Sequence, residues 1–524
     1  MLLQAALGFS LALVDPLIKV FPGTAPQPVP YVAEAARGEV LTWQVVVHTD
    51  RPLEGIKVDV DGIKGLGKPR IRAIGYVPVD RSIPEAPKER IGTVPGLYPD
   101  PLLTDLPTSL KTGDTQAYWI DLPVSKNARP GTYSATFRFT GSGINGWQAL
   151  SARVFSATVG RSRLWVTNWY ANPPGDPFGH DPKFWKELEV YGKNMAEHRQ
   201  NMAIVSPLSY AQLKPDGSFD FSVFNRFVET FKKAGVIGRI EGGHFGGRIG
   251  GVWSAQFEMT ILELKDGKTA ARNVDPAGPE ADAFYAKFLP ALVKDLKDHH
   301  WLDIYSQHLA DEPIQANVGS YVAMRDLVRK YAPELKVMEA THTAKLAGSM
   351  DLWVPQFNYW ADSYDFYRDR QAKGEEVWFY TCVYPQGEYA NRFMELPLVE
   401  TRLLHWLNFK YGATGYLHWG WNRWSMVGDP FKKTTYDQPG GSFLPAGDCF
   451  IVYPGKDGAV LDSIRWESMR DGIADYELLS MLKEKDPKHA EDLANRLVHG
   501  FTSYELDPAV FRSVRHELLE ALSP

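Results

Sequence analysis

Apolar positions along the chain change rhythm near residue 160 and again near residue 462. In the first stretch they alternate every second residue, as in Val40-Leu-Thr-Trp-Gln-Val-Val-Val47 and Tyr133-Ser-Ala-Thr-Phe-Arg-Phe139, and they continue from Trp147 to Val159. Asp61-Gly62 and Pro130-Gly131 mark turns between such runs, and no long amphipathic helix intervenes, so the pattern predicts an all-β unit, most simply a β-sandwich. From Leu164 onward short apolar runs alternate with helical periodicity. The predicted strands are Leu164–Tyr170, Met202–Ser206, Val236–Glu241, Leu302–Ala310, Lys336–Thr341, Leu352–Phe357, Val377–Tyr384 and Thr414–Trp421.

Between most of them lie helical patterns. The first begins at Asp181-Pro182, a cap followed by proline at N1; the others are Phe221–Lys233, Ala281–His299, Val318–Tyr331 and Leu396–Tyr411. Eight strand–helix repeats over roughly 260 residues fit a (β/α)8 TIM barrel, although periodicity alone leaves an open doubly wound sheet as the alternative. The tail reads as helical from Arg465 to Glu484, followed by shorter segments. The expected organisation is therefore a multidomain α/β and all-β chain: an N-terminal β-sandwich (1–160), a (β/α)8 catalytic barrel (161–462) and a C-terminal helical segment packed on the barrel (463–524).

The length of 524 residues is more than one core usually organises. A net charge of −6 without a Lys/Arg cluster gives no footprint for nucleic acid. Cys382 and Cys449 are the only cysteines and suggest neither a disulfide framework nor a thiolate metal site. The apolar opening, residues 1–14, lacks a basic n-region and a clear cleavage site. It reads as a truncated leader or a first strand and is too short to span a bilayer, so membrane insertion is not expected and the compartment, cytoplasmic or exported, stays open.

Chemistry concentrates where predicted strands end. Asp311-Glu312-Pro313 closes the fourth, because Pro313 drives Glu312 out of helical conformation and stops the ladder. Glu241 with Gly242-Gly-His244 closes the third, Asn358-Tyr-Trp360 the sixth, Tyr384 the seventh, and Trp419, Trp421 and Trp424 the eighth. At the C-terminal edge of a parallel barrel, carboxylates converging with amides and aromatic rings suit hydrolysis of a sugar acetal: an acid for the leaving oxygen, a stabiliser for the oxocarbenium-like charge and platforms for the ring. The plainer reading of Asp311-Glu312 is a cap on the following helix. Adjacency suits a particular division of labour, in which a substrate acetamido oxygen attacks the anomeric carbon while Asp311 orients that group and Glu312 acts as acid and then base. Repulsion between neighbours would also keep one of them protonated near neutrality.

His244 is a candidate hydroxyl partner, and the long 242–280 insertion is a candidate extension of the sugar site. Its glycines fit neither a dinucleotide fingerprint nor a phosphate loop. His308 with Asp311 and Glu312 does not make a metal motif, since no His-Glu-x-x-His is present and alternate strand positions face opposite sides.

The Asp311-Glu312-Pro313 strand end resembles glycoside hydrolase family 123, as do Gly415-Tyr-Leu-His-Trp-Gly-Trp-Asn-Arg-Trp424, the Tyr453-Pro-Gly455 turn and the segment from Ser463 to Glu477. Ala35-Ala-Arg-Gly-Glu39, Trp43-Gln44 and Ala128-Arg-Pro-Gly-Thr-Tyr133 resemble the N-terminal β-sandwich of the same group. The resemblance implies a β-N-acetylgalactosaminidase on a (β/α)8 barrel, substrate-assisted, with the Asp-Glu pair at Asp311 and Glu312 and no metal or organic cofactor. The implied partner is an oligosaccharide or glycoconjugate, and the sandwich could serve a homodimer. Two other readings stay open: a glycosidase on a non-acetamido sugar with Glu241 as nucleophile, and a non-catalytic carbohydrate-binding or scaffold protein.

Overall fold

The computed structural model describes residues 8–179 and 181–523. Its chain divides into two compact units that do not follow chain order. One comprises residues up to Arg163 with Gln386–Tyr411 and Gly420 onward; the other comprises Leu164–Pro385 and Gly412–Trp419.

In the first unit, a five-stranded sheet is built from Phe9–Val14, Val40–Thr49, Thr115–Pro123, Arg70–Val79 and Gly96–Leu103, in that spatial order. A second sheet orders Ala33–Arg37, Ile144–Thr158, Gly131–Gly141 and Lys57–Val60. Pairing is antiparallel except for Ala33–Arg37, which runs parallel to Ile144–Thr158. The apolar opening is thus a strand from Phe9, paired with Val40–Thr49, while the leader reading of residues 1–7 lies outside the described residues. Leu41, Trp43, Val45 and Val47 point, every second residue, into one core with Phe137, Phe139, Leu150 and Val154 of the other sheet. The intervening Thr42, Gln44 and Val46 are buried as well, so this strand is covered on both faces rather than half-exposed. Gln44 Nε2 donates to the carbonyls of Asp15 and Ile18, at 3.1 and 2.9 Å, which satisfies the buried amide.

The tail helix Ile464–Lys485, capped by Ser463 Oγ accepting from Trp466 N, belongs to the same unit and packs against the helix Leu398–Tyr411. Several of the charges buried inside this unit are paired. Arg515 lies between Glu39 and Asp475, at 2.6 and 2.8 Å, and Asp475 also receives Arg402 at 2.7 Å. Arg465 grips Asp100 at 2.8 Å, and Tyr453 Oη donates to the same carboxylate at 2.6 Å. The motif residues Glu39, Tyr453, Arg465 and Asp475 are therefore structural clamps, and Arg470 pairs with Glu467, one turn back, and with the adjacent Asp471.

The second unit contains all eight predicted strand positions. Six parallel segments are ordered Met202–Val205, Arg239–Gly242, Tyr305–Gln307, Lys336–Thr341, Leu352–Pro355 and Glu376–Val377. Trp165–Asn168, Gly415–His418 and Phe379–Tyr380 form a separate parallel sheet, so the hydrogen-bonded ladder does not close into a single barrel. At one seam the side chain of Asn201 replaces ladder bonds, accepting from Val166 N and donating to Leu164 O, both at 2.9 Å. At the other, Trp378 interrupts the seventh strand between its two short pairings. Met202, Met338, Val354, Trp378, Tyr380 and Leu417, drawn from both sheets, share one core. Helices Pro182–Glu197, Ser222–Ala234, Pro279–Asp298 and Val318–Tyr331 separate successive strands, the first capped by Asp181 as the sequence predicts.

Candidate active site

The fourth strand is much shorter than the apolar run suggests: Leu302–Ile304 form a 3-10 turn and only Tyr305–Gln307 pair. Beyond Gln307 the ladder is replaced by a side chain. Glu339 Oε2, from the fifth strand, accepts from Leu309 N at 2.8 Å and Ala310 N at 3.0 Å, holding the backbone that leads into Asp311. Glu312 follows with φ of 49°, a left-handed conformation that costs a non-glycine residue about 1–2 kcal/mol and turns consecutive carboxylates into different surroundings.

Behind Asp311 runs a buried chain of acids and bases. His308 places Nδ1 2.6 Å from Glu339 and Nε2 2.8 Å from Glu241. Glu241 is fully buried and also accepts from Thr167 Oγ1 and Trp169 Nε1, each at 2.6 Å. Burial alone would lower the His308 pKa, but the charges and hydrogen bonds of Glu339 and Glu241 outweigh it and raise the imidazole to about 10. Burial likewise opposes ionisation of Glu339, and His308 and His244 overcome it, bringing the carboxyl down to about 2. His244 Nε2 lies 3.3 Å from Glu339 and 3.8 Å from Asp311, so it connects this chain to the catalytic candidate.

The pair divides as its surroundings dictate. Asp311 is raised to about 6 by partial withdrawal from water and by the adjacent Glu312 charge, with its side chain still 45% exposed. Glu312 is held below the ordinary carboxylate range: burial would raise it, but His342 at 3.2 Å, the Tyr380 hydroxyl and the Arg248 charge favour its anion. Of the two neighbours, the one whose carboxyl is pushed upward is thus Asp311 and not Glu312. His342 Nε2 also meets Tyr380 Oη at 2.6 Å, and Tyr380 donates to Gln356 Oε1 at 3.3 Å.

Asn358 accepts from Gln356 Nε2 at 2.6 Å, which places it two hydrogen bonds from Tyr380. Tyr384 is exposed, and the ring that lies 4.7 Å from His342 is that of Tyr359. Asp311, Glu312, Glu241, His244 and Asn358 therefore belong to one connected cluster, which no side-chain hydrogen bond or ring contact extends to Tyr384 among the described residues. Trp421 and Trp424 belong to the other unit. Trp421 is 0% exposed and offers no ring face to a sugar; its carbonyl accepts from Ile451 N. Trp424 is half-buried, with its indole N–H donated to Val452 O at 2.7 Å. The aromatic rings beside the acids are instead Trp169, Trp253, Tyr359 and Tyr380.

His244, His308 and Glu339 present ligand atoms within 4.8 Å of one another, the spacing of a metal site. Both His308 nitrogens are already engaged by carboxylates, however, and Glu339 is occupied by two backbone N–H groups, so the donor set fits a charge-alternating hydrogen-bond chain better than a cation.

The model of the glycoside hydrolase 123 catalytic domain matches residues 182–482. The chain belongs to glycoside hydrolase family 123. Membership supports glycosidase activity on a glycan substrate. A family 123 glycoside hydrolase from Clostridium perfringens, described for glycolipid glycan hydrolysis, shares the fold, with a TM-score of 0.74 at 15% identity over 98% of this chain and 97% of that one. A β-galactosidase from Rahnella sp. R3 aligns over 64% of this chain and 57% of its own at 14% identity, with a TM-score of 0.36. No curated protein matches the sequence. Among the described residues of this family 123 chain, no helix is long and apolar enough to cross a membrane.

Proposed function

We propose that the chain releases terminal β-linked N-acetylhexosamine with retention, through an oxazoline-type intermediate, with Asp311 orienting the 2-acetamido group and Glu312 acting as general acid and then base. N-acetylgalactosamine is the sugar the family resemblance implies. The observation that carries this reading is the pairing of adjacent carboxylates with opposite environments, backed by two further carboxylates, Glu241 and Glu339, that are buried and saturated with donors. A protein nucleophile at Glu241 would first have to shed three hydrogen bonds, which disfavours the non-acetamido alternative.

The acid–base cycle follows from sharing one proton. An acetamido N–H donated to Asp311 stabilises its anion; the new charge beside Glu312 then raises the latter, so the proton passes to the residue facing the leaving oxygen. Two further readings rest on packing. The core common to both parallel sheets supports taking them as arcs of one (β/α)8 barrel, and the core common to the N-terminal sheets supports a β-sandwich over residues 1–160.

Leaving-group dependence tests the assignment. With a poor leaving group, Glu312→Gln should lose about 100-fold or more in kcat and retain most activity when the leaving group needs no protonation, whereas Asp311→Asn should lose on both. Equal losses for Glu312→Gln on good and poor leaving groups would remove it as the acid.

A further inference from the structure

We propose that Trp253, at the tip of the 242–280 insertion, is the platform on which the leaving sugar of the substrate stacks. This deepens, and rests on, the assignment of Glu312 as the acid. A general acid sits on the leaving-group side of the scissile bond, so Glu312 and Asp311 give the site a direction: the acetamido sugar lies toward Asp311 and His244, and the leaving group lies beyond Glu312. What lies beyond Glu312 is His342, and 5.3 Å from the His342 ring is that of Trp253.

The insertion is built to hold that ring outward. Gly246–Arg248, Phe257–Lys265 and Lys268–Val274 form a three-stranded antiparallel sheet, and the turn Ile249–Gly251 passes through Gly250 and Gly251 at φ of 60° and 68°. Ile249, Val252 and Trp253 are 46%, 57% and 48% exposed, an apolar cluster that water would disfavour unless something covers it. Its base is fixed. Arg248 donates to Trp253 O at 2.9 Å and to Glu312 O at 2.6 Å while its guanidinium lies 4.1 Å from the Trp253 ring centre, and Gln256 Nε2 reaches Ala316 O at 2.8 Å. An aromatic ring backed on one face by the Arg248 guanidinium, with the His342 imidazole beside it, matches a pyranose, whose axial C–H face is apolar and whose edge carries hydroxyls.

Binding isolates this role from turnover. In a Glu312→Gln background, calorimetry should find a β-linked N-acetylgalactosaminyl-galactose disaccharide bound about tenfold or more tighter than methyl β-N-acetylgalactosaminide. Adding Trp253→Ala should erase that advantage without weakening the methyl glycoside, and Trp253→Phe should keep part of it. Loss of both ligands in equal proportion with Trp253→Ala, or no disaccharide advantage at the outset, would overturn the platform. A disaccharide advantage erased by Trp253→Ala in a protein whose wild type cleaves neither ligand would leave the platform standing and remove the catalytic assignment; failure of both ligands to bind would overturn both.

Discussion

Replacing Glu339 by Gln should destabilise the protein by about 3 kcal/mol, because it removes one of the two carboxylates that face the buried His308 and leaves Glu241 as its only counter-charge. Gln can still accept from Leu309 N and Ala310 N through its carbonyl, so the change isolates the charge facing His308. The magnitude follows from the protonation equilibria. His308 moves from 6.5 to about 10, which at about 1.4 kcal/mol per pH unit corresponds to roughly 5 kcal/mol for its two carboxylates together. Glu339 moves from 4.5 to about 2, or roughly 3 kcal/mol, and describes part of the same interaction rather than a sum to be added.

The signs set the pH window. A raised histidine contributes stability that is complete below 6.5 and is lost as pH climbs through about 10; a lowered carboxylate contributes stability present above 4.5 and lost as pH falls through about 2. The gap between wild type and Glu339→Gln should therefore be widest between about pH 4.5 and 6.5 and narrow toward pH 10. Urea unfolding at pH 6 and pH 9, read by circular dichroism, measures both. A loss below about 1 kcal/mol, or a gap that is the same at both pH values, would refute the buried-charge argument.

With one proton shared by the pair, kcat/KM should fall on the alkaline side with an apparent pKa near the value of about 6 at Asp311, and His244→Asn should move that limb upward because His244 lowers Asp311; a limb that stays put or moves down in a pH–rate profile would count against His244 as the tuning group. Gly415→Ala should cost about 1–3 kcal/mol in thermal or urea unfolding, since a Cβ there would overlap the Trp378 ring inside the shared core, and unchanged stability would contradict that packing. Arg515→Met should cost about 3–5 kcal/mol by leaving Glu39 buried without its cation, and a neutral result would show that the clamp contributes little.

How far the sequence could be read depended on whether a feature is local. All eight strand positions of the alternating region were legible because each is a short apolar run, most of them next to a helical pattern; Lys336–Thr341 and Val318–Tyr331 have the same bounds in both descriptions. The early end of the fourth strand was not legible, because the carboxylate that takes over its amide bonds comes from Glu339, in another strand. His342 and Tyr380 were missed for a similar reason: they reach Glu312 through space, without a sequence interval to betray it. One signal was available, since His342 follows the fifth strand as Asp311 follows the fourth, and the strand-end rule applied there points at it. Trp421 shows the opposite failure. Its place in an aromatic strand end suggested a sugar platform, but two-residue spacing does not reveal which ring the surrounding chain will cover, and Trp421 is wholly enclosed.

The central claim is that hydrolysis is assisted by the substrate's own acetamido group at Asp311 and Glu312. Its most direct measurement compares aryl β-N-acetylgalactosaminide, β-N-acetylglucosaminide and β-galactoside, with a thiazoline mimic of the oxazoline as inhibitor. Turnover confined to the acetamido sugars, blocked by the thiazoline and abolished by Asp311→Asn, is the predicted result; comparable cleavage of the plain galactoside, insensitive to the thiazoline, would contradict it and require a nucleophile from the protein.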